Sequence, residues 1–145
     1  MTPQEIATRV GKGMMTKDHA SIAMGIYLTH ISPGVAHMEM QVRPDMMNGF
    51  GTCHGGMITT LADSAFGFAC NSCNELTVAS GLSVDFLAPA FEGDVLTAKA
   101  SEVSLSGRTG VYDVTVFNQK ADCIAVFRGR SHRITGKTVV VLGDN

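Results

Sequence analysis

The chain has no tryptophan, few charges and no excess of basic residues, and each shortage closes off a class of function. Only 17% of its 145 residues are charged, the formal net charge is −2 and the isoelectric point is about 6.2. A nucleic-acid-binding surface needs a basic excess to neutralise phosphates, and a membrane-surface patch needs the same; this chain has no such excess. No apolar run approaches the roughly 20 residues that span a bilayer. Residues Met1 to Val10 lack the charged-then-apolar layout of a secretion signal, so the cytoplasm is the expected location. There is no internal repeat, low-complexity tract or linker, and residues 1–145 have the length of one domain with its own core.

Metal and redox chemistry find little support. Cys70-Asn71-Ser72-Cys73 is a Cys-x-x-Cys, but Cys53 and Cys123 do not form a second pair that would complete a zinc site. The pair also falls at the end of a helical pattern, away from the helix start where a thiolate is stabilised, so ordinary buried or half-buried thiols are expected. His19, His30, His37 and His132 show no metal-ligand spacing, and no cofactor is called for. Gly-x-Ser-x-Gly and Ser-x-His nucleophile patterns are missing. What the chain does have is apolar: 45% hydrophobic residues and a mean hydropathy of +0.17 hint at surface buried against other copies. Nine methionines fit a core with adaptable packing.

Patterning predicts an α+β architecture. Residues 3–24 carry a loose helical period, and Tyr27 to Ile31 is a short strand candidate. Val35 to Val42 alternates, with Ala36, Met38, Met40 and Val42 on one side, the mark of a strand with one buried face. From His54 to about Asn71 the residues are apolar nearly all round, predicting a central buried helix. Four strands follow, near 76–87, 95–105, 109–118 and 122–134, separated by turn signals. One long helix and a run of antiparallel strands imply a sheet of five to six strands wrapped round the helix.

The chemistry is concentrated between Asn48 and Asp63. Asp63 lies among Ile58, Leu61, Ala62, Ala65 and Phe66, and no lysine or arginine occurs between residues 44 and 98 to pair with it. Such a carboxylate is a polar subunit contact, a group bonded to Thr59 or Thr60 nearby, or a base or nucleophile raised toward a working pKa by burial. With Thr52 or Cys53 near the helix cap, the Gly55 and Gly56 N–H groups fall in the first turn. There they lack intrahelical partners and carry the positive end of the dipole. They can polarise a carbonyl, or they can be simple turn chemistry. Asn48 can bond a water or a carboxylate, or serve an Asn-Gly turn. His54 can support the loop and the substrate, or be a structural histidine on the cap side of the helix.

Helix geometry adds a constraint. Gly55 and Asp63 are eight residues apart, about 12 Å along an α-helix at about 1.5 Å per residue. They cannot both touch one carbonyl. If both act, a two-fold pair of subunits must bring Asp63 of one to Gly55 of the other, so the enzymatic reading requires a dimer. A further polar cluster joins Arg108 and Thr109 to a strand on which Arg128, Arg130 and His132 alternate. That row suits a phosphorylated ligand or a solvated sheet face.

Asn48-x-x-Gly51-x-x-His54-Gly55-Gly56, followed by Leu61-Ala62-Asp63, resembles the hotdog-fold acyl-CoA thioesterases of the PaaI type, the phenylacetate-degradation thioesterases. The resemblance continues through Val84-Asp85-Phe86-Leu87-Ala88-Pro89-Ala90, Gly107-Arg108-Thr109-Gly110 and Phe127-Arg128-Gly129-Arg130, and covers about residues 20–135. It implies a hotdog fold, a homodimer forming the active site, and a homotetramer built as a dimer of dimers. It also implies hydrolysis of aryl-acyl-CoA, notably (hydroxy)phenylacetyl-CoA, to free CoA and the acid. Within it Asp63 corresponds to the base or nucleophile and Gly55 to the donor that polarises the thioester carbonyl. Asn48 and His54 are supporting groups, and Gly56 lies beside the substrate. Arg108 and Thr109 fall where CoA phosphates are held, with Arg130 a further candidate. Some relatives place a hydroxyl one turn after the carboxylate; here that position is Gly67, which leaves Ser64, Thr59 or Ser80 to help the attacking water. A hydratase of the same fold, a non-catalytic acyl-CoA-binding oligomer and a redox role for Cys70 and Cys73 are the rival readings.

Overall fold

The computed structural model describes residues 1–143; the last two, including the expected boundary at Asn145, lie outside the described residues. The order is α1 (Pro3–Lys17), α2 (His19–Ala23), β1 (Tyr27–Ser32), β2 (Val35–Gln41), α3 (Gly55–Asn71), β3 (Thr77–Phe86), β4 (Val95–Ser106), β5 (Thr109–Phe117) and β6 (Cys123–Arg133). All pairings are antiparallel, in the spatial order β1-β2-β4-β5-β6-β3. The expected α+β plan is present, with six strands.

The alternation in β2 does what its period requires. Ala36, Met38 and Met40 are fully buried toward α3, while Val35, His37 and Glu39 lie on the outer side. Helix α3 packs its Ile58, Leu61, Ala62, Ala65, Phe66, Phe68 and Ala69 face into the concave side of the sheet. Phe66 meets Tyr112 and Phe127 with ring centroids 5.6 and 5.8 Å away. A Cβ on Gly129 would come within 2.7 Å of the Phe66 ring, so only glycine lets the helix lie this close to β6.

Side chains lock both ends of α3. At its start the cap is His54, not Thr52 or Cys53: its ring Nδ1 accepts the Gly56 N–H at 3.0 Å. At its end Asn71 exchanges two 2.9 Å bonds with the Thr77 backbone, and Ser72 Oγ accepts the Gly34 N–H at 2.8 Å. These buried bonds tie the helix to β3 and to the β1–β2 turn.

The sequence pattern overstates the burial of α3. Gly56, Asp63 and their half-exposed neighbours Thr60 and Gly67 form an open stripe at intervals of three to four residues. This is the period of one helix face. Strand β3 borders that stripe at the sheet edge and is open along most of its length, with Val78, Leu82 and Phe86 exposed.

Candidate active site

Two concavities flank α3, and they share no lining residue. The first, of about 370 Å³, lies at the helix start and is lined by Asn48, Thr52, Gly55, Ile58, Phe86 and the Leu87–Ala90 segment. Gly55 is the first helical residue, and its N–H has no partner among the described residues. Its Cα is covered by the Phe86 ring, which a Cβ would meet at 2.8 Å. The neighbouring Gly56 N–H is occupied by His54, so of the two glycines only Gly55 offers a free donor. Because His54 Nδ1 accepts, its Nε2 carries the proton and is the ring's remaining donor.

Asn48 spends most of its amide on the loop that presents Gly55. Its Oδ1 accepts the Phe50 and Thr52 N–H groups at 2.8 and 3.2 Å, and its Nδ2 donates to Thr52 Oγ1 at 2.8 Å. This is the turn-forming behaviour of asparagine. One Nδ2 hydrogen is left over at the cavity wall.

The second concavity, about 280 Å³, holds Asp63. It is bounded by Met14, Asp18, Ser21, Thr60, Ser64 and Ala79, among others. Asp63 has no hydrogen bond or ion pair among the described residues. Thr59 and Thr60 do not serve it, for their hydroxyls donate to the Gly55 and Gly56 carbonyls at 2.8 and 2.9 Å. On the single chain the carboxylate is exposed, not enclosed as the apolar helix pattern implied. The partial burial it does have, with a smaller push from the Asp18 carboxylate, raises its pKa above the ordinary carboxylate value. A carboxyl group so placed holds a proton more readily than an ordinary surface carboxylate, which suits it to act as a base.

The basic candidates lie elsewhere, on the outer face of the sheet. Arg108 and Thr109 form the β4–β5 turn, Thr109 is paired with His132, and Arg130 lies between Val111 and Gly81. Arg128 is already engaged: it donates to both Asp113 oxygens at 2.7 and 2.9 Å, which pulls the Asp113 carboxyl below its usual range. Ser80 stands in a bulge of β3 and donates to the Arg130 carbonyl at 3.1 Å, while Thr77 and Ala79 are the β3 residues that line the Asp63 cavity. The structure thus groups Arg108, Thr109, Arg130 and Ser80 at one end of the outer face, apart from both cavities.

Sequence reasoning missed two contributions. The Phe86–Ala90 wall lay in a recognised motif but carried no assigned role. Asp18 and Ser21, beside Asp63, were read only as part of a helical segment. The Asp-x-x-Ser spacing at the α1–α2 break, which caps α2, was the available signal. Cys70 is buried and donates to the Gly67 carbonyl, its thiol pushed up to about 12 by burial, whereas Cys73 is exposed. All four cysteines are free, and no cluster of metal-ligating side chains occurs among the described residues.

An uncommitted carboxylate and an uncommitted helix-start N–H on one buried helix wrapped by a six-stranded sheet define a class, and comparison with known proteins agrees. The chain belongs to the thioesterase superfamily, whose family model matches residues 50–125. It is 45% identical over 123 residues to the acyl-coenzyme A thioesterase PaaI of Escherichia coli, covering 85% of this chain and 88% of that protein. The solved structure of the Escherichia coli PaaI protein from the phenylacetic acid degradation operon superimposes with a TM-score of 0.92 over 94% of this chain and 99% of that one, at 42% identity. A Streptococcus mutans protein solved bound to acetyl CoA matches with a TM-score of 0.75 at 26% identity, covering 78% of this chain and 91% of that one. The hotdog architecture expected from the sequence is borne out.

Proposed function

We propose that the chain is an acyl-CoA thioesterase that hydrolyses aryl-acyl-CoA, with (hydroxy)phenylacetyl-CoA the leading substrate, to free CoA and the acid. The observation that carries this reading is the splitting of the chemistry along α3. A free N–H at Gly55 and a raised, unpaired carboxylate at Asp63 lie about 12 Å apart, in separate cavities. Each is half of what thioester hydrolysis needs. Identity to the Escherichia coli acyl-coenzyme A thioesterase supports the substrate class.

In the working site Gly55 of one subunit donates to the thioester carbonyl oxygen and Asp63 of its mate takes a proton from water. The water oxygen bonds to the carbonyl carbon, the carbon–sulfur bond breaks, and the CoA sulfur leaves with a proton. The water oxygen remains in the product carboxyl group. His54 Nε2–H and the spare Asn48 Nδ2 hydrogen help position the substrate. Arg108 and Thr109, with Arg130 behind them, suit the CoA phosphates. The open β3 edge with Val78, Leu82 and Phe86 suits a homodimer interface, and a homotetramer of two such dimers follows the family plan. Four free cysteines accord with a reducing cytoplasm, and no helix among the described residues is long and apolar enough to cross a membrane.

A panel of acyl-CoA thioesters assayed for thiol release tests the assignment. Turnover with aryl-acyl-CoA, lost in Asp63→Asn while the fold persists, is the expected result. Binding of CoA esters without release of thiol would make the chain a carrier instead.

A further inference from the structure

Asp63 is not alone in its cavity: a hydrogen-bonded chain enters it from the α1–α2 junction. The Asp18 Oδ2 accepts the Ser21 hydroxyl at 2.7 Å, and Ser21 Oγ lies 2.8 Å from Ser64 Oγ. Ser21 is 1% exposed, and Asp18, Ser21 and Ser64 all line the Asp63 cavity.

The direction of these bonds is forced. An ionised carboxylate only accepts, so the single Ser21 proton goes to Asp18. Ser21 Oγ must therefore accept from Ser64, which spends the single Ser64 proton. Ser64 Oγ is left with lone pairs alone to offer. In a cavity also lined by the Asp63 carboxylate, which only accepts, this makes a site for a group carrying two hydrogens.

We propose that Asp18, through Ser21, is a positioning residue that locks the Ser64 hydroxyl as an acceptor, so that Ser64 and Asp63 together hold the attacking water by its two hydrogens. The proposal rests on the thioesterase reading above and names a water-holding group for it. One water hydrogen passes to Asp63 as the oxygen attacks. The other stays in its bond to Ser64, and the oxygen lone pair is aimed away from both acceptors toward the carbonyl carbon. A hydroxyl on α3 one residue after Asp63 thus supplies what Gly67 lacks, and Ser80, turned to the Arg130 carbonyl, does not.

Asp18 has a second effect of the same origin. Its negative charge adds to partial burial in raising Asp63. The other titratable group on the cavity wall is Cys70 of α3. The lining residues from α1 (Met14), α2 (Ala20, Ser21) and β3 (Thr77, Ala79) carry no charge.

Asp18→Asn separates the relay from the helix cap. Asparagine keeps an oxygen for the Ser21 N–H, bonded at 3.0 Å, but puts an amide donor where Oδ2 stood. Ser21 then accepts from residue 18 and donates to Ser64, which frees the Ser64 proton and reverses its role. The expected result is a kcat about tenfold lower, the worth of one hydrogen bond, with KM unchanged. The acid limb of kcat/KM should move to lower pH. Ser64→Ala should lower kcat similarly without moving the limb, and Ser64→Thr should restore it. Far-UV melts establish that each variant is folded. Wild-type kcat in Asp18→Asn or Ser64→Ala, beside an inactive Asp63→Asn, overturns the relay alone. A fully active Asp63→Asn takes down the base assignment and the relay with it.

Discussion

Gly55→Pro is a substitution that deletes one hydrogen from the site and little else. Gly55 is the first residue of α3, the helical position where proline is favoured because its missing N–H has no intrahelical acceptor. Proline also constrains the residue before it to extended backbone, and His54 already has φ −59° and ψ 132°. The one obstruction is the Phe86 ring tip, the far end of that side chain, 2.8 Å from a Cβ at this position. The helix should therefore form while the carbonyl-polarising donor is gone. Loss of one such donor costs about 10²–10³ in kcat, roughly 2.7–4 kcal/mol of transition-state stabilisation. Gly55→Ala, which keeps the N–H but displaces Phe86 equally, is the control and should lose far less.

The same variant tests whether the site is shared between subunits. Asp63→Asn should lose about 10²–10⁴ in kcat for want of its base. If Gly55 of one subunit works with Asp63 of the other, unfolding and refolding the two inactive variants together creates mixed dimers. Each mixed dimer has one site carrying both lesions and one carrying neither. Random pairing makes half the dimers mixed, so about a quarter of wild-type sites should return. The assay is thiol release from phenylacetyl-CoA, with far-UV circular dichroism to confirm the helix. Wild-type turnover by Gly55→Pro would refute the donor assignment. A mixture no more active than its parents would refute the shared site, and with it the meaning given to the 12 Å separation along α3.

Asp63 should cost the fold stability that Asp63→Asn recovers. Its folded pKa is raised, so the folded chain holds the proton more tightly than the unfolded chain. That contribution is present below the ordinary carboxylate value of 3.8 and is lost as pH rises through the folded pKa. Thermal melts should show Asp63→Asn as the more stable protein at pH 7, with the difference vanishing toward pH 4; a variant less stable at pH 7 would contradict this. Arg108→Ala should raise KM for acyl-CoA several-fold at low salt with kcat unchanged, the gap narrowing as salt rises. Iodoacetamide should label exposed Cys73 in the native protein and reach Cys70, whose thiol is pushed up to about 12, only after unfolding. A Cys70→Ser/Cys73→Ser protein should keep wild-type turnover.

What the sequence revealed and what it hid divide along one physical line: local period against long-range geometry. The alternation of β2 and the apolar run of α3 were legible because each pattern is written in consecutive residues and fixed by one backbone repeat. The His54 cap was misplaced by one or two residues, since a histidine ring can accept an N–H as a serine hydroxyl does, and residue type alone favours threonine at Thr52. The exposed stripe of α3 and the open apolar edge of β3 were hidden for a different reason. Leucines and valines left exposed on a sheet edge look, in one sequence, like residues of the core.

Ser80 and Ala79 show the limit most sharply. Read with strict period two, every other residue of β3 faces the helix, and a hydroxyl such as Ser80 is as good a neighbour for Asp63 as any. A bulge between Ala79 and Gly81 breaks that parity, so Ala79 lines the Asp63 cavity while Ser80 turns to the Arg130 carbonyl. The hydroxyl assigned to the water comes from Ser64, which also lines the cavity and is bonded to Ser21, 43 residues earlier in the chain. No local pattern joins those two positions. They meet only because α2 folds back against α3, and Asp18, placed first as a cap, becomes the charge that decides which way the Ser64 proton points.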